Sequence, residues 1–309
     1  MRVLVTGGSG RLGRSVVAVL AARGHDVTSV DTAEHPWPEG ITPAVCDLLD
    51  SKARTELFAR TAPESVVHLA GIAVPFARPD AETLRVNTTL AWEVLTAAVR
   101  AGAHSAVAAS SPTVYGYNTP SWKPRYLPLD EDHPVAPWHA YGLSKAVVEE
   151  TVRTLARTSE TCVLSAVRPG YVVSPEEWRG ATTQQGHTIA ERLDDPALAA
   201  GSLFNYVDAH DAAELFALIV ENPGRVPGGS VYNAVAPDPL ARGPVDADLA
   251  RLHPATAELA PALADGRAVF SSERAHRDLG WKPKRTWRDH VDPGERPDHS
   301  DRGDHTERI

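Results

Sequence analysis

The sequence predicts an α/β fold, a doubly wound parallel sheet with a small interleaved C-terminal lobe. Three observations carry that prediction. The chain opens on a short apolar segment, Arg2 to Thr6, that runs into Gly7-Gly8-Ser9-Gly10-Arg11-Leu12-Gly13 and at once into a helical pattern. Strand-like and helix-like patterns then alternate as far as Val167. Beyond Pro169 the rhythm breaks, and Pro, Gly, Ala and charged residues dominate 174–203 and 235–270.

In chain order, the first strand, glycine loop and helix (Leu12 to Arg23) bring backbone N–H groups and a helix N-terminus against a pyrophosphate. Gly7, Gly10 and Gly13 allow the tight turn and the close approach of phosphate and strand. A second strand, His25 to Asp31, ends on an acid. A carboxylate about 20 residues past the loop binds the adenosine ribose hydroxyls and repels a 2′-phosphate, so Asp31 argues for NAD over NADP. Arg11 and Arg14 beside the loop could hold a phosphate and leave NADP as the less favoured option.

Thr42 to Cys46 reads as strand, Ser51 to Thr61 as helix, Ser65 to Leu69 as strand and Asp80 to Ala101 as a long helix. His104 to Ala109 follows as strand, His139 to Arg157 as helix and Cys162 to Val167 as strand. Such alternation predicts a Rossmann-type parallel sheet covered on both faces. The strand ends at Asp31, Asp47, His68, Ser110 and Ser111 should share its carboxyl edge, where ligands bind in open α/β sheets. The expected division is a dinucleotide-binding domain at 1–173, with 204–234 adding to its sheet (Tyr206 to Val220, Val231 to Ala234). Residues 174–203 and 235–291 form a substrate-binding lobe, and the apolar-poor stretch 292–309 is predicted to be a disordered tail.

The 309 residues suffice for one large domain with an appendage. A net charge of −9 without a Lys/Arg stripe gives no footprint for nucleic acid or an anionic membrane. No apolar run approaches the ~18 residues of a membrane span, and the N-terminal strand enters a glycine loop instead of a signal-peptide core, so the expected compartment is the cytoplasm. Cys46 and Cys162 lack C-x-x-C spacing and read as buried small apolar residues. The 13 His are scattered without a ligand cluster, which predicts no metal.

Tyr141-Gly142-Leu143-Ser144-Lys145 places a phenol and an ammonium four apart on one helix face. An adjacent ammonium and a bound, positively charged nicotinamide both favour phenolate, and burial is expected to bring Tyr141 toward working pH, where general acid or base catalysis is efficient. Together with the GxxGxxG spacing and Ser110-Ser111-Pro112-Thr113-Val114-Tyr115-Gly116, this run resembles the extended short-chain dehydrogenase/reductase family, the NAD-dependent epimerase/dehydratases. The likeness extends to about His290 through Val66-Val67-His68-Leu69-Ala70-Gly71, Arg168-Pro169-Gly170, Tyr206-Val207-Asp208-Ala209-His210-Asp211 and Leu279-Gly280-Trp281-Lys282-Pro283.

The resemblance implies that Ser111 hydrogen-bonds the reacting oxygen, that Tyr141 is the acid/base, and that Lys145 lowers its pKa and binds the nicotinamide ribose. It also implies a cofactor site of Gly7, Gly10, Arg11, Leu12, Gly13, Asp31, Asp47, Leu48, Leu69, Ala70, Gly71 and Asn87, and a homodimer through helices 80–101 and 139–157. Asp47 matches the acid near the adenine, or caps the helix that follows it; Asn87 matches a helix Asn near the site.

The family's 4,6-dehydratases carry an Asp-Glu pair after the catalytic Thr, where this chain has Pro112 and Thr113, so dehydration is disfavoured. The run Ser-Pro-Thr-Val-Tyr-Gly looks closer to the sugar 4-epimerases. Two departures argue against a nucleotide sugar: Tyr171 replaces an Asn near the substrate diphosphate, and Phe204-Asn205 stands where those epimerases carry a phosphate-binding Arg, removing charge and bidentate donors. Thr113, Tyr171 and Phe204 are candidate substrate residues, with Trp138, His139 and Trp178 as further cavity walls. The favoured reading is an NAD-dependent oxidoreductase acting on a secondary alcohol, ketone or lactol of a smaller, unphosphorylated polyol, sugar, uronate or natural product. A sugar 4-epimerase with tightly bound cofactor is the alternative. A noncatalytic NAD(H) sensor is disfavoured by the intact Ser111, Tyr141 and Lys145.

Overall fold

The structure is a computed structural model that describes residues 1–119 and 122–291. The expected tail, 292–309, lies outside the described residues. The first half alternates as β1 (Arg2–Thr6), α1 (Arg11–Ala22), β2 (Asp26–Asp31), β3 (Ile41–Val45), α2 (Ser51–Thr61), β4 (Ser65–His68), α3 (Asp80–Arg100), β5 (Ser105–Ala109), α4 (Ala140–Ala156) and β6 (Val163–Pro169). Short pieces follow: β7 (Val172–Val173), α5 (Pro175–Trp178), α6 (Ile189–Asp194), α7 (Pro196–Ala200) and β8 (Val207–Asp208). The remainder is α8 (Ala209–Glu221), β9 (Ser230–Ala234), α9 (Val245–Leu252), α10 (Glu273–Leu279) and α11 (Trp287–Val291).

Seven strands form one parallel sheet in the order β3-β2-β1-β4-β5-β6-β9. The order reverses at β1/β4, the switch point at which a cleft opens above the strand ends. Alternate side chains of β1 feed different layers, as the two-residue strand period requires. Val3 and Val5 pack with Val16, Leu20 and Phe216 under α1 and α8, while Leu4 joins Leu57, Leu90, Val94 and Val148 under α2, α3 and α4. Both faces are covered, which is why the central strands read as continuous apolar runs.

Residues 204–234 were expected to add to the sheet, and only β9 does so, beside β6. Val207 and Asp208 pair instead with Val172 and Val173 in a separate two-stranded sheet. The main chain leaves the large sheet after Pro169, and at Gly170 a Cβ would meet Asn205 Oδ1 at 2.8 Å. A further core, the lobe core, joins Val114, Tyr115 and Leu129 from before β6 to Leu203, Phe204, Leu249, Leu263 and Phe270 from after it. Among the described residues no helix is long and apolar enough to cross a membrane, and no group of three or more His, Cys, Asp or Glu could hold a metal ion. Cys46 and Cys162 are free and buried.

Candidate active site

The loop after β1 folds back on β2: the Gly7 and Gly8 amides donate to Val30 O at 2.8 and 3.2 Å, and the Gly10 amide donates to Gly7 O at 3.1 Å. Gly7 adopts φ +69°, and a Cβ there would lie 2.7 Å from the Ala70 nitrogen. At Gly13 a Cβ would lie 2.1 Å from Gly7 O, so helix and loop touch only because that position is glycine. Gly10 caps α1 with no side-chain bond, which leaves the first helical N–H groups facing the cleft.

Two continuous cavities lie over this loop. The first, about 390 Å³, is lined by Gly7, Gly10, Asp31, Thr32, Asp47, Leu48, Leu69, Ala70 and Gly71 among others. Asp31 accepts from Ser9 N at 3.1 Å and from Thr32 N at 2.8 Å. Asp47 accepts from Leu49 N at 2.9 Å, and Asp50, not Asp47, caps α2 through Lys52 N and Ala53 N at 2.8 and 3.1 Å. This cavity has carboxylates and no Lys or Arg on its walls. Arg14 is turned away to Ser9 O and Glu176, at 3.3 and 3.1 Å. The glycine cradle and the two acids therefore fit NAD, and a 2′-phosphate would meet like charge.

The second cavity, about 770 Å³, shares Gly7, Gly10, Leu69, Gly71 and Ala73 with the first and adds Arg11, Leu12, Gly13, Ser111, Thr113, Trp138, His139, Tyr141, Lys145 and Tyr171. Tyr141 and Lys145 project from one face of α4, whose N-terminus His139 caps by accepting from Gly142 N at 3.0 Å. Gly142 lets that turn approach the 3-10 turn at Pro112–Tyr115, since a Cβ would sit 3.1 Å from Thr113 O. The contact brings the turn carrying Ser111 beside Tyr141. Ser111 Oγ accepts from Thr113 N at 3.2 Å and Thr113 Oγ1 at 3.0 Å, so its lone pairs are engaged and its O–H is free to donate.

The electrostatics correct one expectation. Burial pushes the Tyr141 phenol up, to about 12, against a lowering hydrogen bond with Ser111, because desolvation disfavours phenolate. Burial also lowers Lys145 to about 8; its Nζ donates to Ala109 O at 2.9 Å and stands 5.7 Å from the Tyr141 ring centroid. Tyr141 is thus held as a neutral acid, and only added positive charge makes it a base. His68 is likewise kept neutral by burial, at about 3, with Nδ1 on Thr6 Oγ1 at 2.8 Å.

Three predicted residues do not reach the cavities. Asn87 is spent on the main chain of Ile72, at 2.8 and 3.1 Å, and on Ser144 Oγ at 3.0 Å, which ties the loop after β4 to α4. Phe204 is 0% exposed, because left-handed Leu203 and Phe204 turn its ring into the lobe core. Trp178 stacks on His290 at 4.4 Å and donates to Asp208 at 2.7 Å. In their place the cavity carries Phe76, Gln184, Gln185, Ser202 and Asn205, which sit in segments without periodicity to betray them. Sequence reading also missed a buried support: Ser110 Oγ donates to Glu149 at 2.6 Å, and Arg168 grips both oxygens of Glu149 at 2.6 and 2.7 Å. Glu149 stands one turn beyond Lys145, a spacing that was available in the sequence.

Comparison with known proteins agrees with this geometry. The chain is 28% identical to the UDP-glucose 4-epimerase of Corynebacterium glutamicum over 93% of this chain and 92% of that protein. It is 32% identical to the UDP-glucose 4-epimerase of Mus musculus over 50% of this chain and 49% of that one. A short-chain dehydrogenase/reductase superfamily protein from Agrobacterium tumefaciens, solved with NAD bound, superposes with a TM-score of 0.67 at 26% identity, covering 92% of this chain and 93% of that chain. The cofactor of this chain is accordingly NAD. The model of the NAD dependent epimerase/dehydratase family matches residues 3–234, and the chain belongs to that family.

Proposed function

We propose that the protein is an NAD-dependent epimerase that inverts a secondary hydroxyl of a sugar-like substrate. The observation that carries this reading is the convergence of Ser111, Tyr141 and Lys145 on a cavity continuous with the dinucleotide cleft. NAD, when bound, supplies hydride acceptance and return. Ser111 donates its O–H to the reacting oxygen; Tyr141, which the positive charge of Lys145 and of bound NAD would draw to phenolate, takes the hydroxyl proton and later gives it back. Thr113, whose hydroxyl orients Ser111, lies on the same wall. For inversion the ketone must turn over in the cavity, and the relatives named UDP-glucose 4-epimerase support that sequence of events.

A second reading, net oxidoreduction of a smaller sugar, uronate or polyol, is favoured by one feature. Among the residues lining the larger cavity, the Lys and Arg side chains are Arg11 and Lys145, both at the dinucleotide end, and Tyr171 stands where an Asn would approach a diphosphate. A panel of UDP-glucose, UDP-galactose, free sugars and uronates separates the readings. Epimerisation converts substrate with no net change in NADH absorbance; stoichiometric NADH would replace it with the dehydrogenase. No conversion of any member would favour a sensor.

The same reading includes a dinucleotide-binding unit at 1–173, a lobe at 174–203 and 235–291, and a cytoplasmic homodimer through α3 and α4. These helices pack together and carry exposed Trp92 (47%) and Leu143 (43%). Sedimentation should show a dimer that Trp92→Glu weakens; a wild-type monomer would refute it.

A further inference from the structure

Arg192, on α6, is 0% exposed and pairs with no carboxylate among the described residues. Its Nη1 donates to Gln185 Oε1 at 2.8 Å, its Nη2 donates to Ser202 Oγ at 3.1 Å, and its guanidinium carbon lies 4.2 Å from the centroid of the Tyr171 ring. Gln185, Ser202 and Tyr171 all line the larger cavity, so a full positive charge stands one layer behind its lobe-side wall. Two buried polar atoms there, Arg192 Nε and Tyr171 Oη, make no hydrogen bond of good geometry, and the Tyr171 hydroxyl is a further, neutral polar partner of the guanidinium. Glu177 attracts Arg192 from beyond contact distance, but it is already engaged by Arg11 and by Ser174 N. Glu177 is therefore committed to Arg11, and Arg192 has no carboxylate in contact.

A desolvated cation without a counter-ion is costly, and neutral hydrogen bonds offset only part of that cost. Burial accordingly depresses the Arg192 pKa. Elsewhere in this chain the cost is avoided: Arg168, equally buried, is clasped by Glu149 through two hydrogen bonds. Phe204, the residue standing where related epimerases carry a phosphate-binding arginine, is packed in the lobe core.

We propose that Arg192 is the anion-recognition element of this enzyme, supplying from beneath Tyr171, Gln185 and Ser202 the positive charge that favours substrates with a carboxylate or phosphate at the lobe end. The inference deepens the sugar-epimerase reading and rests on it for the sugar frame. The cation acts through the low-dielectric wall and by fixing Gln185 and Ser202.

Three ligands of one ring shape test it: D-glucose, D-glucuronate and glucose 1-phosphate, titrated calorimetrically into NAD-loaded enzyme. At least one anion should bind ~10-fold or more tightly than glucose, a difference of about 1.4 kcal/mol. Which anion wins separates carboxylate from phosphate. Arg192→Met should erase the preference and Arg192→Lys should retain part of it, with NAD affinity within about 2-fold of wild type in both. Equal binding of all three ligands by wild type overturns the inference without any variant, which keeps it falsifiable should Arg192→Met fail to fold. So does a preference that persists in Arg192→Met, or a loss confined to NAD binding, which would make the cofactor the counter-ion. Anion-selective binding without turnover would leave Arg192 as assigned and remove the epimerase reading; turnover of neutral and anionic sugars at equal affinity would do the reverse.

Discussion

Burial opposes the charged forms of both Tyr141 and Lys145. Tyr141, raised to about 12, stays protonated across the physiological range, and Lys145, lowered to about 8, is only partly committed to its ammonium. Tyr141→Phe removes the proton carrier without disturbing packing, so turnover should fall by about 10²–10⁴ while the NAD dissociation constant holds steady. Retention of full turnover in that variant would remove Tyr141 from the acid/base role. For Lys145 the sign follows from its depressed pKa: between pH 8 and 10.5 the folded state binds fewer protons than the unfolded chain, so stability rises with pH there. Below pH 8 the burial penalty is carried in full. Lys145→Met should therefore melt higher than wild type at pH 7, by on the order of 1–3 kcal/mol less the lost bond to Ala109, and the gap should close by about pH 10.5. Thermal denaturation across that range checks it, and a gap independent of pH would refute it. The four-residue spacing was readable in the sequence because helix geometry is local. The direction of the phenol's shift was not, because the surroundings that desolvate Tyr141 come from separate segments.

At the scale of elements, the first strand, loop and helix were legible almost to the residue because their constraint is steric and local. Gly13 shows how tight it is: a methyl group there would lie 2.1 Å from Gly7 O. Gly13→Ala should displace the loop, weaken NAD binding by roughly 100-fold and destabilise the fold by about 1–3 kcal/mol. Isothermal titration and chemical denaturation measure the two effects, and unchanged NAD affinity would refute the assignment of the loop. Legibility falls away after β6. Residues 204–234 were expected to add to the sheet, yet Val207 and Asp208 pair outside it with Val172 and Val173, where Gly170 sits against Asn205 and Tyr206. Phe204 was placed near substrate because it stands where the resemblance puts a phosphate-binding Arg, while its left-handed backbone points it inward. Such turns are set by tertiary packing and leave little trace in residue patterning.

Across the whole molecule, the parallel sheet and its two covered faces were expected from alternation alone, and the strand order places the cofactor cleft at the only reversal in the sheet. Asp31 and Asp47 line the smaller cavity, and we propose that they set its preference for NAD over NADP. A ligand that binds only the folded state raises the melting temperature in proportion to the logarithm of its concentration over Kd. NAD should accordingly raise the melting temperature of the whole chain well above the shift given by equal NADP, and Asp31→Ser should narrow the difference; equal shifts in wild type would refute the role of the acids. The lobe's substrate-facing residues were the least legible, because Gln185, Ser202 and Arg192 come together only through the folding of short, aperiodic segments.

Arg11 lines the cofactor side of the larger cavity, yet its guanidinium is paired with Glu177 on the lobe helix α5, and Arg14 beside it is paired with Glu176. Helices α1 and α5 therefore hold a charged contact in common beside the larger cavity. If NAD and substrate both bias the Arg11–Glu177 contact, the coupling is reciprocal: NAD changes substrate affinity by the same factor by which substrate changes NAD affinity. On that condition cofactor retention and substrate capture form one coupled equilibrium, with α5 as the element between them.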